Sequence, residues 1–212
     1  ANCIACHKVG DVGKEFGPDL TKLDVKLKPS DILKDILDPS LRINEKFQSN
    51  VIELQDGKVV QGIVIEESGD IIKLVENPLI STTPIEIKRN DVAERTRSKV
   101  SIMPKGLLEK LTAAVTAYLK MQIATGIDAL QIFDSHGGHL DAKDFQEASG
   151  RWTNEIIANL GGKVPVINFS LGTHGNWPDL INSGANVLGI DWQTDLAEAR
   201  KIIPAHIAMQ GN

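Results

Sequence analysis

No apolar run in these 212 residues approaches the roughly 18 that a membrane-spanning helix needs. No leader peptide is visible either, although the first motif begins at residue 3, so that a leader could lie upstream of it. Cysteine is almost missing: Cys3 and Cys6 are the whole complement. Two thiols that close make a poor disulfide framework, so their chemistry must be local. Basic excess is also lacking. Up to residue 105 there are 16 basic and 17 acidic residues, and beyond it 7 and 11, for a net charge of −5. Neither part has the footprint of a nucleic-acid binder. What remains is ordinary for a soluble protein with enough material for a core, 42% apolar and 24% charged. The length suits one large domain or two small ones.

The pattern changes twice along the chain. Residues 1–47 read as short helices joined by turns. In "SDILKDILDPS", Ile32, Ile36 and Leu37 share a helical stripe, with Ser30 as the expected N-cap and Pro39 closing it. Over 48–92 the period shortens. "NVIELQDGKVVQGIVI" gives two β-rich runs around an Asp56-Gly57 turn, and "DIIKLV" and "TPIEIK" read as two more strands. From Gly106 the helical period returns, with Leu108, Leu111, Val115 and Leu119 in step. Four apolar strand-like runs follow: "DALQIFD", "VPVINFS", "NVLGIDW" and "HIAMQGN". Helical stretches are expected between them at 141–160, about 176–183, and 194–203, with Asp141 and Thr194 as N-caps. Strand and helix in alternation, with strands buried on both faces, predict a parallel sheet or barrel.

"NCIACHKVG" carries the first chemistry. The spacing C-x-x-C-H is that of c-type haem attachment. Two thiols add to the two vinyl groups of one porphyrin, and the adjacent histidine reaches the iron. Cys3 and Cys6 would be the thioethers and His7 the proximal ligand. A thioredoxin-type pair would want a βαβ context, and a zinc site two more ligands nearby; neither is present before residue 136. A chance occurrence in a loop is the third reading. Met103, in "SKVSIMPKG", is the candidate sixth ligand, held beside Pro104, against the alternative of a core gap-filler. The Gly17-Pro18 turn of "GKEFGPDL" could set the Pro18 carbonyl against the His7 ring N–H, or be an ordinary turn before a helix.

Taken in order, CxxCH, "GPDL", "ILDPS", the "DG…G" hairpin, "SIMP" and "GLL" resemble the haem-binding c-type cytochrome domain abundant in planctomycetes and related bacteria. The resemblance runs from residue 2 to about 111. It implies periplasmic electron transfer with a redox partner protein and a covalent haem c held by Cys3, Cys6, His7 and Met103. The family's usual helix ahead of the first cysteine is represented only by Ala1-Asn2.

In the second part, "ALQIFDSHGGHLDAKDF" ends a strand in Asp134, Ser135, His136 and two glycines, and "GIDWQTDLAEAR" ends another in Asp191 and Trp192. Functional residues of a (β/α) barrel sit at such C-terminal strand ends. Gly137 and Gly138 would let the backbone approach a ligand closely. His136, His139 and His174 lack the spacing of a helix-borne metal pair and read as loop histidines.

"LLEKLTAAVTAYLKMQIATGIDALQIFDSHGGHL", "GIDWQTDLAEAR" and the terminal "MQGN" resemble uroporphyrinogen decarboxylase over about 107–212. That family is a TIM barrel that removes the carboxyl groups of four acetate arms, turning uroporphyrinogen III into coproporphyrinogen III with neither metal nor cofactor. The resemblance implies Ser135 as a hydrogen-bond partner for a substrate carboxylate and Phe133 as an apolar wall. The family's arginine pair, its aspartate facing the pyrroles, its tyrosine and its C-terminal histidine find no counterpart here. Decarboxylation is therefore expected only if the missing segments are supplied, and the chain alone is not expected to turn over.

The expected fold class is thus mixed α and β. A helical c-type cytochrome domain with an inserted small antiparallel β element is expected over 1–106, and a partial TIM barrel of about four βα units over 107–212. The two resemblances overlap at "GLLEKLT", residues 106–112. They imply different compartments: periplasm for haem attachment, cytoplasm for the decarboxylase. That conflict makes a chimera of two gene fragments, by recombination or sequence assembly, the expectation over a true fusion. Four βα units cannot close an eight-stranded barrel, so self-association of the half-barrel is also expected.

Overall fold

The computed structural model describes residues 3–211. Ala1, Asn2 and Asn212, the last closing the "MQGN" motif, lie outside them. The fold separates into two compact units. One holds the residues up to Lys28 together with Lys34–Lys105; the other holds Pro29–Leu33 and the residues from Gly106 onward.

The first unit begins with a one-turn 3₁₀ helix at Cys3–Ala5 and a two-residue hairpin, β1 (Lys8–Val9) and β2 (Val12–Gly13). Helix α1 (Pro29–Leu37) follows, its first five residues counted with the second unit. Five strands then form one antiparallel sheet: β3 (Asn50–Leu54), β4 (Val59–Ser68), β5 (Ile71–Val75), β6 (Ile85–Lys88) and β7 (Val92–Arg97). Their order is β6-β5-β4-β3-β7. The Asp56-Gly57 turn forms as expected. Gly57 takes φ +82°, a conformation that favours glycine, and Asp56 Oδ1 accepts the Lys58 amide at 2.9 Å. Alternate residues then meet on one face, where Ile52, Val60, Ile72, Leu74 and Ile87 form a closed apolar cluster.

Three expectations need correction here. The strands continue past residue 92, because β7 returns to pair with β3. Ser30 is not the cap of α1: Pro29 takes the first helical turn, where its missing N–H costs nothing, and Lys28 is the N-cap. The helical cytochrome domain is not what these residues show. Among the described residues α1 is this region's only α-helix, and the apolar cluster belongs to the sheet, so the antiparallel element is the core of the unit rather than an insertion.

The second unit runs α2 (Leu107–Ala124), β8 (Leu130–Asp134), α3 (Ala142–Phe145), a π-turn (Gln146–Gly150), α4 (Arg151–Leu160), β9 (Val166–Ser170), α5 (Trp177–Ile181), β10 (Val187–Gly189), α6 (Leu196–Ile202) and β11 (Ala208–Gln210). All four strands are parallel, in the order β11-β10-β9-β8, and fall within the four apolar runs. This is a mixed α/β unit whose parallel sheet is consistent with part of a TIM barrel. Asp195, not Thr194, caps α6: its Oδ1 accepts the amides of Ala197 at 2.7 Å and Glu198 at 3.1 Å. Asp141 stands at the N-cap of α3 without a side-chain bond.

The strands are buried on one face only, not on both. Leu130, Val166, Leu188 and Ile190 pack against Leu119, Ile156, Ile157, Leu160, Leu180 and Ala199 of the helices. The opposite face carries Phe133, Phe169 and Gln210 and stays open. In a closed barrel that face is covered by the strands across the lumen; four strands do not reach round to cover themselves. Helix α2 likewise departs from its expected stripe. Thr112, Thr116 and Leu119 are buried, while Leu111 is 59% exposed. No helix among the described residues is long and apolar enough to cross a membrane.

Candidate functional site

Pleating decides what the open face presents. The parallel register sets Phe133 of β8, Phe169 of β9, Gly189 of β10 and Gln210 of β11 abreast. This row floors a concavity of about 400 Å³, with Gln131 and Ser135 on one side and Leu171 and Trp192 at its rim. The volume is that of a small-molecule site. The Phe133 and Phe169 rings lie 5.7 Å apart at 59°. Phe133 and Trp192 are each 65% exposed, a large apolar area to leave uncovered. Gly189 is required by the ring beside it, since a Cβ there would stand 2.8 Å from Phe169 Cδ2.

Ser135 and Phe133 therefore line one cavity, together with Trp192. Asp134 does not join them. Being one residue out of phase, its carboxylate turns to the helix-covered side. There Oδ2 accepts from Ser149 Oγ at 2.5 Å and Ser170 Oγ at 3.1 Å, and Oδ1 accepts the His136 amide at 3.2 Å. Asp191 is also committed to the protein. It is 2% exposed and accepts the Gly172 amide at 2.8 Å and the Gln193 amide at 2.9 Å. His174 Nδ1 stands 3.4 Å from Asp191 Oδ1, and its ring packs on Trp177 at 4.9 Å. Burial lowers the pKa of His174, and the Asp191 charge offsets this in part. The glycines are crowded by protein rather than left for a ligand: a Cβ on Gly137 would strike Asp134 and Ser170, and one on Gly138 would strike the Leu171 carbonyl. His136 and His139 are exposed, with ring centroids 5.6 Å apart. Among the described residues no group of three or more His, Cys, Asp or Glu side chains could hold a metal ion.

Sequence pattern alone did not single out Phe169, Leu171, Gly189 and Gln210. Their signal is the two-residue alternation within each run, which becomes informative only once the register is known.

At the other end of the chain, Cys3, Cys6 and His7 share one turn. The His7 amide donates to the Cys3 carbonyl at 2.8 Å, and the Cys6 amide to the same oxygen at 3.2 Å. Both thiols are free, Cys3 exposed and Cys6 half-buried. Burial first, and the neighbouring Cys3 second, push the Cys6 thiol pKa up. His7 Nδ1 donates to the Pro18 carbonyl at 2.8 Å, which leaves Nε2 as the free ring nitrogen. Gly17 lies flat against that ring, where a Cβ would stand 2.6 Å from Cε1. Met103 lies far along the chain in a separate loop, half-buried, its amide donating to Ser101 Oγ at 3.2 Å.

Comparison with known proteins bears on the second unit. Residues 102–212 match the uroporphyrinogen decarboxylase (URO-D) family. The uroporphyrinogen decarboxylase of Pseudomonas fluorescens (strain SBW25) is 45% identical over 112 residues, which is 50% of this chain and 31% of that protein. That of Christiangramia forsetii is 39% identical over 125 residues, 59% of this chain and 37% of that protein. That of Tolumonas auensis is 43% identical over 113 residues, covering 50% and 32%. The chain thus spans about a third of the length of the curated relatives it matches. The family match begins at Ile102 and leaves the CxxCH turn outside it. With more than half its residues inside that match, and with the parallel strands and open concavity falling there, the chain belongs to the uroporphyrinogen decarboxylase family.

Proposed function

We propose that the second unit is the substrate-holding part of a tetrapyrrole decarboxylase, one that acts on uroporphyrinogen III only when the remaining segments of the barrel are supplied. The observation that carries this is the shared lining: Ser135 beside Phe133, Phe169 and Trp192 on one 400 Å³ concavity. Pyrrole rings are flat and apolar on their faces, which suits the aromatic floor. Their acetate arms are anionic, and the Ser135 hydroxyl can donate to one of them. Decarboxylation of such an arm begins with proton addition to a pyrrole carbon. The bond to the carboxyl carbon then breaks, its electron pair flows into the protonated ring and CO₂ leaves. The methylene carbon takes up a proton and the ring carbon releases the one it gained, so that one proton is consumed for each carboxyl group lost. The protein's share is to orient the arm and to stabilise the developing charge. The described lining of the concavity includes no Lys or Arg, so the cationic partners of the carboxylates must come from beyond this lining.

The test is a titration with uroporphyrin, the stable oxidised form, followed by Trp192 fluorescence. Saturable quenching is expected, with Ser135→Ala weakening binding about tenfold to a hundredfold, the range of one lost hydrogen bond to a charge. A flat titration, or one indifferent to Ser135, would remove the reading. Turnover of uroporphyrinogen by the chain alone would remove the requirement for further segments.

One observation favours a second reading for the first unit. The His7–Pro18 hydrogen bond fixes the ring so that only Nε2 remains to bind a metal, and it does so one residue from a pair of free thiols. A covalent haem c would be held by Cys3 and Cys6 as thioether positions, with His7 and Met103 as the residues that would ligate its iron. Haem supplies one-electron chemistry. The chain's residues would anchor it and hold the imidazole, in the periplasm and opposite a redox partner protein. A pyridine haemochrome spectrum after co-expression with c-type maturation machinery tests this. An absorbing product lost in Cys6→Ala supports it, and colourless protein removes it.

A further inference from the structure

Behind the concavity, on the helix-covered side of the sheet, lies a second and much smaller space of about 10 Å³. Its walls include Asp134, Ser149, Asn154, Asn168, Ser170 and Asp179. That volume accommodates about one water molecule, and a wall this polar suits one. Asn168 and Ser170 are 4% and 3% exposed, so bulk solvent does not serve them. Asn154 Oδ1 is buried on this wall with no protein donor. An acceptor left without a donor costs more than the bond would contribute, so a site of this kind recruits one.

The same space touches the loop that carries Ser135. Asp134 accepts from Ser149, Ser170 and the His136 amide, and its own carbonyl accepts the Leu171 amide at 2.9 Å. Ser149 reaches it because α3 passes into α4 through a π-turn, in which the Arg151 amide reaches back to the Gln146 carbonyl. The extra residue in that turn changes which side chains face the sheet.

We propose that this space holds one ordered water, which donates to Asn154 Oδ1. Water and Asp134 together fix the 135–139 loop, so that Ser135 stands at the edge of the concavity. Asp134 is a positioning residue: its carboxylate touches the loop and not the ligand. Only the consequence for ligand binding rests on the reading of Ser135 given above.

Amide hydrogen exchange on the full chain tests the positioning role. Asp134→Asn is expected to speed exchange at the His136 and Gly138 amides by about tenfold or more, with the amides of Ile132 and Asn168 in the strands unchanged. Ser149→Ala, the milder change, is expected to give about a threefold effect at the same amides and carries the test if the asparagine variant does not fold. Unchanged loop rates in the folded variants overturn the role. A water-to-protein nuclear Overhauser effect at the Asn154 side-chain amide, from a long-lived water, supports the water site, and its absence overturns it. In the binding arm, Asp134→Asn should weaken uroporphyrin binding about tenfold where Ser135 is present and not at all in Ser135→Ala. Equal losses in both backgrounds overturn action through Ser135. If the unaltered chain binds no uroporphyrin, the reading of the concavity falls, while the exchange and water arms still decide this proposal.

Discussion

The two sheets end their edges in different ways. In the antiparallel sheet, edge strand β7 carries Glu94, Arg95 and Arg97, and edge strand β6 carries Glu86 and Lys88. Neighbouring charges bind some of these in place, as when Arg95 meets Glu67 at 2.7 Å and Arg97 meets Glu45 at 3.2 Å. Charge along an edge discourages a further strand from adding there. The parallel sheet does the opposite. Its edges are Leu130, Gln131, Ile132 and Phe133 on β8, and Ala208, Met209 and Gln210 on β11, with the one carboxylate, Asp134, already engaged by two hydroxyls. The first sheet is finished; the second is composed as an interior strand set that expects neighbours on both sides.

Five substitutions sharpen or break that contrast. Ile52→Ala and Leu188→Ala each empty a fully buried site, 0% and 1% exposed, and each should cost about 3 kcal/mol. Under native exchange, the first should release the amides of β3–β5 and the second those of β8–β10. Joint release of both sets would mean that the sheets are one cooperative unit. Next, light scattering on the concentrated chain should give a mass above the 23.0 kDa of a single copy. Ala208→Lys, which places charge on an uncharged edge, should weaken that association about tenfold, while Thr96→Lys on the charged edge should leave it unchanged. A single-copy mass at every concentration would defeat the edge argument. Smaller again, Asp195→Ala removes the two-amide cap of α6 and should cost about 1 kcal/mol in urea denaturation.

The least effect is a pH dependence confined to the second unit. His174 has a folded pKa below the 6.5 of a free imidazole, chiefly through burial. Between the two values the unfolded chain binds the proton and the folded one does not. Stability from this group is therefore full above 6.5 and declines as pH falls through 6.5 towards the folded value. His174→Gln should flatten that part of the profile. A profile unchanged by the substitution would show that another group is responsible.

Much of the second unit was legible because its signals are local. Each of the four apolar runs contains a strand, and the alternation of strand and helix gives a parallel sheet whatever the rest does. The half-open sheet was not legible from run hydrophobicity, since Ile167 and Phe169 read as buried whether or not another strand covers them. In the first unit, the Asp56-Gly57 turn announced its hairpin, whereas β7 did not: "VAERTR" is polar on both faces, and only pairing with β3 makes it a strand. Of the two readings left open for the Gly17-Pro18 turn, the one that sets the Pro18 carbonyl against the His7 ring is the one that forms. Asp134 was misplaced because strand-end position says where a residue lies, and a shift of one residue in the pleat decides which side it serves.

Gly189 shows how a missing side chain can act as a gauge. Because nothing projects from β10 at that row, the Phe169 ring occupies space where a side chain on residue 189 would stand, 2.8 Å from the place of its Cβ. A methyl group at 189 would force that ring to shift, so the room left for flat guests is governed by a residue that has no side chain of its own.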